Sequence, residues 1–258
     1  MKQILIISFI AVTTLACSSQ IHRVNNIVLT EITQNGKLEK CPLEDTDILL
    51  FIYDKDYRIV RWKGIESDIK YIYNADNITL IDNYLGREEY DVVLDGENNA
   101  IQVSGGRAYA YDNNNLQYIG KKQNHNNRDT CNIEWANGNI CKISTYSYDD
   151  EKEHHLTGII EFTYSKYENK QNYSMAYGII LDMLSSDEHH ISSALSIAGV
   201  LGRQPKNLIS KISIRPKSGG QGVVTIDYTI NRDGTIHTEQ INWLFGEVWT
   251  FVYNYKAD

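Results

Sequence analysis

Apolar and polar residues alternate along most of this chain, and the alternation falls into short runs separated by turn-forming residues. The runs cover 27–32, 47–53, 58–62, 69–73, 78–81, 90–94, 101–104, 107–111, 116–119, 131–135, 140–146 and 158–164. A period of two predicts strands that bury one face. Between the runs one phrase returns: an aromatic residue, a cluster of Asp, Asn and Gly, then an aliphatic residue. It reads Tyr53-Asp54-Lys55-Asp56-Tyr57-Arg58-Ile59, Tyr73-Asn74-Ala75-Asp76-Asn77-Ile78, Tyr111-Asp112-Asn113-Asn114-Asn115-Leu116 and Trp135-Ala136-Asn137-Gly138-Asn139-Ile140. Asn, Asp and Gly tolerate the left-handed backbone of tight turns, while Tyr, Trp and Ile suit a pleated surface, so the phrase predicts hairpins.

The period changes once. Ile179, Ile180, Met183 and Leu184, then Leu195, Ala198 and Leu201, fall at helical spacing and predict two short helices over 176–186 and 191–201. Strand patterns resume at 208–214, 223–230, 235–243 and 247–255. Strands joined by turns this short are antiparallel neighbours. The expected fold is mainly β: an antiparallel up-and-down meander forming a strongly curved sheet or partly closed barrel, with two short helices inserted around residues 176–201. With three prolines and no Ser/Gly linker in the interior, residues 26–258 read as a single domain.

The N-terminus adds a location. Lys2, an apolar run from Ile4 to Val12 and the small residues before Cys17 make residues 1–16 an export signal too short to span a bilayer permanently. Leu15-Ala16-Cys17 resembles the lipobox of bacterial lipoproteins, which implies a lipid on Cys17, a tether over 17–25, and a Gram-negative envelope location on the periplasmic face of the outer membrane or the cell surface. The net charge of −8 excludes a nucleic-acid partner, which needs a basic face. Of the other cysteines, Cys41, Cys131 and Cys141, at least one stays unpaired in a monomer. A two-residue turn at Asn137-Gly138 sets Glu134 opposite Cys141 and sends the Cys131 and Cys141 sulfurs to opposite faces, which argues against a bridge between them.

Catalytic signatures are absent from the sequence: no Gly-x-Ser-x-Gly, His-Glu-x-x-His, Walker loop or Cys-x-x-Cys occurs. The pairs His154-His155 and His189-His190 lack the convergent spacing of a metal site. The Asp-rich turns resemble fragments of a calcium loop without its closing Glu, so turn chemistry explains them and no metal or cofactor is expected. A spanning pore needs strands of about nine to eleven residues with an apolar outer stripe, and the runs here are shorter and mixed outside. Eighteen tyrosines and four tryptophans against five phenylalanines favour rings with a polar edge, a composition that serves wet binding surfaces as well as strands. Tyr109, Tyr111, Trp135, Trp243 and Trp249 are the candidate ligand-binding aromatics. The expected function is a lipid-anchored, non-enzymatic envelope protein that binds a small lipophilic ligand, a glycan or an envelope protein. The alternative is a glycan-acting hydrolase using acidic residues in an aromatic-lined cleft.

The repeated phrases, the Phe162-Thr163-Tyr164-Ser165 strand followed by Asn169-Lys170, and Gly199-Val200-Leu201-Gly202-Arg203 leading to Lys206-Asn207-Leu208 together resemble one family over nearly all of the mature chain. It is the uncharacterised lipoprotein family known as domain of unknown function 4595, from Gram-negative gut and oral bacteria. The resemblance implies a porin-like, many-stranded antiparallel sheet and an envelope location. It implies no activity and assigns no site residue.

Overall fold

The computed structural model describes residues 23–24, 27–38, 41–42, 47–63, 68–84, 86–104, 106–121, 130–148, 154–185 and 191–257. The proposed lipid attachment at Cys17 and the His189-His190 pair lie outside them. One 18-stranded antiparallel sheet contains β1 (Arg23–Val24), β2 (Ile27–Leu38), β3 (Cys41–Pro42), β4 (Asp47–Tyr53), β5 (Ile59–Lys63), β6 (Asp68–Tyr73), β7 (Asn77–Asp82), β8 (Glu88–Leu94) and β9 (Ala100–Val103). It continues with β10 (Arg107–Asp112), β11 (Asn115–Lys121), β12 (Thr130–Ala136), β13 (Asn139–Tyr148), β14 (His154–Glu168), β15 (Asn207–Pro216), β16 (Gly222–Ile230), β17 (Ile236–Asn242) and β18 (Val248–Ala257). Two helices, α1 (Met175–Ser185) and α2 (Ile191–Ala198), interrupt the meander between β14 and β15.

From β4 onward each strand pairs with the next, β18 pairs with β2, and β2 pairs with β4, so the ladder returns toward its start. Between β4 and β18 the pairing is thinnest at β9–β10 and β11–β12, with two residue pairs each, so the wall is barrel-like without being a seamless cylinder. One end carries the Asn/Asp/Gly turns, the start of β2 and the end of β18. We call it the turn end.

Each turn follows from its residues. Asn113-Asn114 and Asn137-Gly138 take positive φ at both central positions, the geometry whose twist matches the flanking strands. The Asp54 carboxylate accepts the amides of Asp56 and Arg58, and that of Asp95 accepts those of Glu97 and Asn99. The Asp-rich fragments thus close their own turns.

Two features of the repeat are structural discoveries. First, most turns are followed by a bulge. Tyr53 pairs with Ile59 but Ile52 with Arg61; Tyr111 pairs with Leu116 but Ala110 with Tyr118; Trp135 pairs with Ile140 but Glu134 with Lys142. The extra residue turns outward, and in the third hairpin it is Cys141. The expected pairing of Glu134 with Cys141 is therefore corrected by one residue, because a bulge sets two residues against one. Cys131 is buried, Cys141 is exposed, and both are free thiols. Second, most terminal aromatics tie their hairpins to an earlier one. Hydroxyls donate from Tyr73 to Ile59 O (2.9 Å), Tyr111 to Ala100 O (2.7 Å), Tyr164 to Ile140 O (2.8 Å) and Tyr255 to Ile236 O (2.9 Å). Trp135 Nε1 donates likewise to Leu116 O (2.8 Å), and Tyr228, one rung further in, to Ile209 O (2.9 Å). Burial raises the pKa of the Tyr73, Tyr111, Tyr164 and Tyr255 phenols, so these groups stay donors. Tyr164→Phe is expected to lower stability by about 1 kcal/mol by orphaning a carbonyl, read as a shifted denaturant midpoint at unchanged slope.

Candidate functional site

The lumen is the place where chemistry-bearing side chains gather, and the helical hairpin fills it. Tyr71 of β6 donates to Ala194 O of α2 (3.0 Å), while β17 and β18 hold the first turn of α1 from across the ring. All eight residues of α2 are buried. Its C-terminus is fixed by Gly199 at φ 75°, with Gly199 N bonded to Ser196 O and Val200 N to Leu195 O. This left-handed cap ends the helix at Ala198, short of the expected 201.

The segment is sewn into the turn end at both of its own ends. Asn169 N donates to Lys206 O (2.8 Å), Lys206 N to Gly138 O (2.9 Å), Arg203 N to Asn114 O (2.7 Å) and Ala100 N to Val200 O (2.6 Å). Asn139 and Asn207 also bond each other. The phrases Trp135–Ile140, Asn169-Lys170, Gly199–Arg203 and Lys206-Asn207, far apart in sequence, meet here. Gly202 (φ 70°) passes so close that a Cβ would lie 2.7 Å from Asn114 O and 3.0 Å from the Tyr111 ring.

Glu239 is the most unusual group inside. It lies on β17 with no exposed surface. Its Oε2 accepts Met175 N (3.0 Å), its Oε1 accepts Ala176 N (3.0 Å), and the hydroxyls of Tyr228 (3.3 Å) and Tyr253 also donate to it. Ser174 Oγ takes the Tyr177 amide (3.3 Å) at the adjacent cap position. A carboxylate at a helix N-terminus meets the positive end of the helix dipole. Burial pushes the Glu239 pKa up, against the four donors that favour its charged form. With both oxygens taken, this carboxylate binds helix to wall and has no face for a substrate.

Three buried groups on the inserted segment find no hydrogen-bond partner in the protein: Gln171 Nε2, Tyr177 Oη and Gln204 Oε1. Each costs about 1–3 kcal/mol. Burial of the large side chains Tyr177, Ile180, Leu181, Ile191, Leu195 and Ile197, at roughly 1.5–3 kcal/mol each, outweighs that cost. The hairpin is a core element. A second polar group lies nearer the opposite end, where Arg107 Nη1 reaches Ser192 Oγ (3.5 Å) and Tyr109 Oη shares Ser192 Oγ (3.2 Å). Burial pushes the nearby Cys131 thiol up to about 12, so it is protonated at neutral pH.

The five candidate aromatics do not converge. Tyr109 is a core residue. Tyr111 and Trp135 sit at the turn end, where their polar edges tie hairpins together. Trp243 and Trp249 lie across the ring near the opposite end, packed edge to face with ring centroids 5.1 Å apart. Trp243 Nε1 has no partner in the protein. Glu239 was missed in sequence, although it shares the parity of Ile241 and Trp243 on one strand face. Among the described residues, no three His, Cys, Asp or Glu side chains gather as a metal site. The side chain of His155 is half-buried.

The geometry defines an all-antiparallel, barrel-like protein with a helical plug. Its likeness to solved structures is of the same kind. It resembles a porin-like protein from Bacteroides uniformis ATCC 8492 with a TM-score of 0.65 at 13% identity, over 88% of this chain and 98% of that one. It also resembles a porin-like protein from Bacteroides vulgatus ATCC 8482 with a TM-score of 0.57 at 14% identity, again over 88% and 98%. These likenesses establish the porin-like fold. No protein-family model matches the chain, and no curated protein matches it in sequence.

Proposed function

We propose that this chain is an envelope protein tethered through lipid on Cys17, a member of the domain of unknown function 4595 family, whose plugged wall is a sealed, non-enzymatic scaffold for binding a small ligand, a glycan or a partner protein. The helical hairpin that occupies the lumen carries this reading. Outward residues in mid-strand add to it: Thr225 and Asp227 of β16 are exposed on the outer wall, where a spanning barrel presents an apolar band. The porin-like proteins of Bacteroides support an envelope location. Of the candidate aromatics, the half-buried Trp243–Trp249 pair near the end opposite the turns is the one we assign to a ligand that stacks on rings.

Two measurements test the reading together. Purified chain added to planar bilayers is expected to give no channel currents, and mass analysis of the mature protein is expected to find an acylated Cys17 at its N-terminus. Steady single-channel conductance overturns the sealed scaffold. A mature N-terminus other than acylated Cys17 overturns the tether.

A further inference from the structure

The repeat gives every hairpin two outward positions at the turn end: the residue before the inward aromatic, and the residue after the inward aliphatic. From β4 to β9 these positions hold Ile52, Val60, Ile72, Val93 and Ile101, with Thr79 as the exception. From β10 to β17 the same positions hold Ala110, Gln117, Glu134, Cys141, Thr163, Ser210, Thr229 and His237. One side of the turn end is aliphatic outside and the other is small or polar. The aliphatic side is open to solvent, with Ile52 45%, Ile72 38%, Val93 45% and Ile101 38% exposed. Outward strand positions facing water are ordinarily polar, and an apolar arc repeated at one height marks a contact surface.

We propose that this arc, Ile52, Ile72, Val93 and Ile101, rests on the bilayer that holds the chain. The inference builds on the tether at Cys17. β1 pairs with the first two residues of β2, and β2 pairs with β4 further along. The leader therefore joins the wall at the turn end, next to the strand that carries Ile52. The stretch from Cys17 to Arg23 spans at most about 20 Å even when fully extended. A lipid on Cys17 keeps Arg23 within that distance of the membrane and so holds the neighbouring arc close to it, at a high effective concentration. The net charge of −8 gives no attraction to anionic headgroups, so the contact is apolar and insensitive to salt.

The test compares amide exchange of the lipidated chain on phosphatidylcholine/phosphatidylethanolamine vesicles with that of the unlipidated Cys17→Ser chain in buffer. At turns 54–58, 74–76 and 95–99, exchange is expected to slow at least tenfold on vesicles, with turn 231–235 unchanged. In the lipidated variant Ile52→Ser/Ile72→Ser/Val93→Ser/Ile101→Ser the slowing is expected to vanish while the protein still floats with the vesicles. Equal exchange at all four turns on floating protein overturns the arc and leaves the tether standing. Failure of the wild-type lipidated chain to float removes the tether, and the proposal with it. A Cys17→Ser dimer in sedimentation that the four serines dissociate assigns the arc to a second copy and overturns the bilayer reading.

Discussion

Glu239→Ala is expected to destabilise the protein by about 3–5 kcal/mol, the range for removing one partner of a buried charged network. The substitution strips the acceptor from two helix amides and two tyrosine hydroxyls at a site with no exposed surface. Each buried donor left alone costs about 1–3 kcal/mol. Glu239→Gln keeps one carbonyl oxygen for the helix but turns an amino group toward the other donors, so it recovers part of the loss. The pH dependence has a definite sign. Folding raises the Glu239 pKa through burial, so its contribution is complete below the unfolded carboxyl value and declines as pH rises through the folded value. The stability gap between wild type and Glu239→Gln should therefore narrow as pH increases from about 4, where unfolded Glu titrates. Urea unfolding over a pH series measures it. A gap that widens with pH means that the four donors, and not burial, dominate the titration.

The second large effect is expected at Gly202, where Ala should cost roughly 2–4 kcal/mol from an unfavourable positive φ and a collision with backbone. The colliding atom is Asn114 O, which accepts the Arg203 amide and so cannot retreat without breaking the seam between plug and turn. Gly220 is the control, because a Cβ there meets nothing within 4 Å. Gly220→Ala should leave the thermal midpoint unchanged while Gly202→Ala lowers it by several degrees. Equal midpoints for the two variants contradict the assigned contact.

The sequence was most readable where the physics is local. Tyr111 through Leu116 and Trp135 through Ile140 form turns because Asn and Gly accept positive φ, and that preference needs no tertiary information. Both helices were visible because α1 and α2 break a period of two with one near 3.6. The bulges were not, since an inserted residue such as Cys141 keeps the same composition and only shifts register. The roles of Tyr111 and Trp135 were also hidden. Their rings suggested a binding surface, but their polar edges meet carbonyls 11 and 19 residues earlier in the chain, contacts that exist only once the hairpins are side by side. Glu239 sits between Thr238 and Gln240 in a stretch that looks solvated, and its burial depends on where α1 arrives. The closeness of Gly202 to Asn114 is likewise a meeting of distant segments.

The ties between hairpins have an evolutionary corollary. Because most terminal aromatics reach back to a strand already laid down, most hairpins carry their own turn, their own bulge and the bond to a predecessor. Such a module can be copied or lost without rewriting the rest of the wall. The bore has no such freedom, since two helices of fixed girth must touch β6 on one side and β17 on the other. A ring that grew by one module would lose its grip on Glu239's helix, so gains in circumference require a thicker insert at the same time.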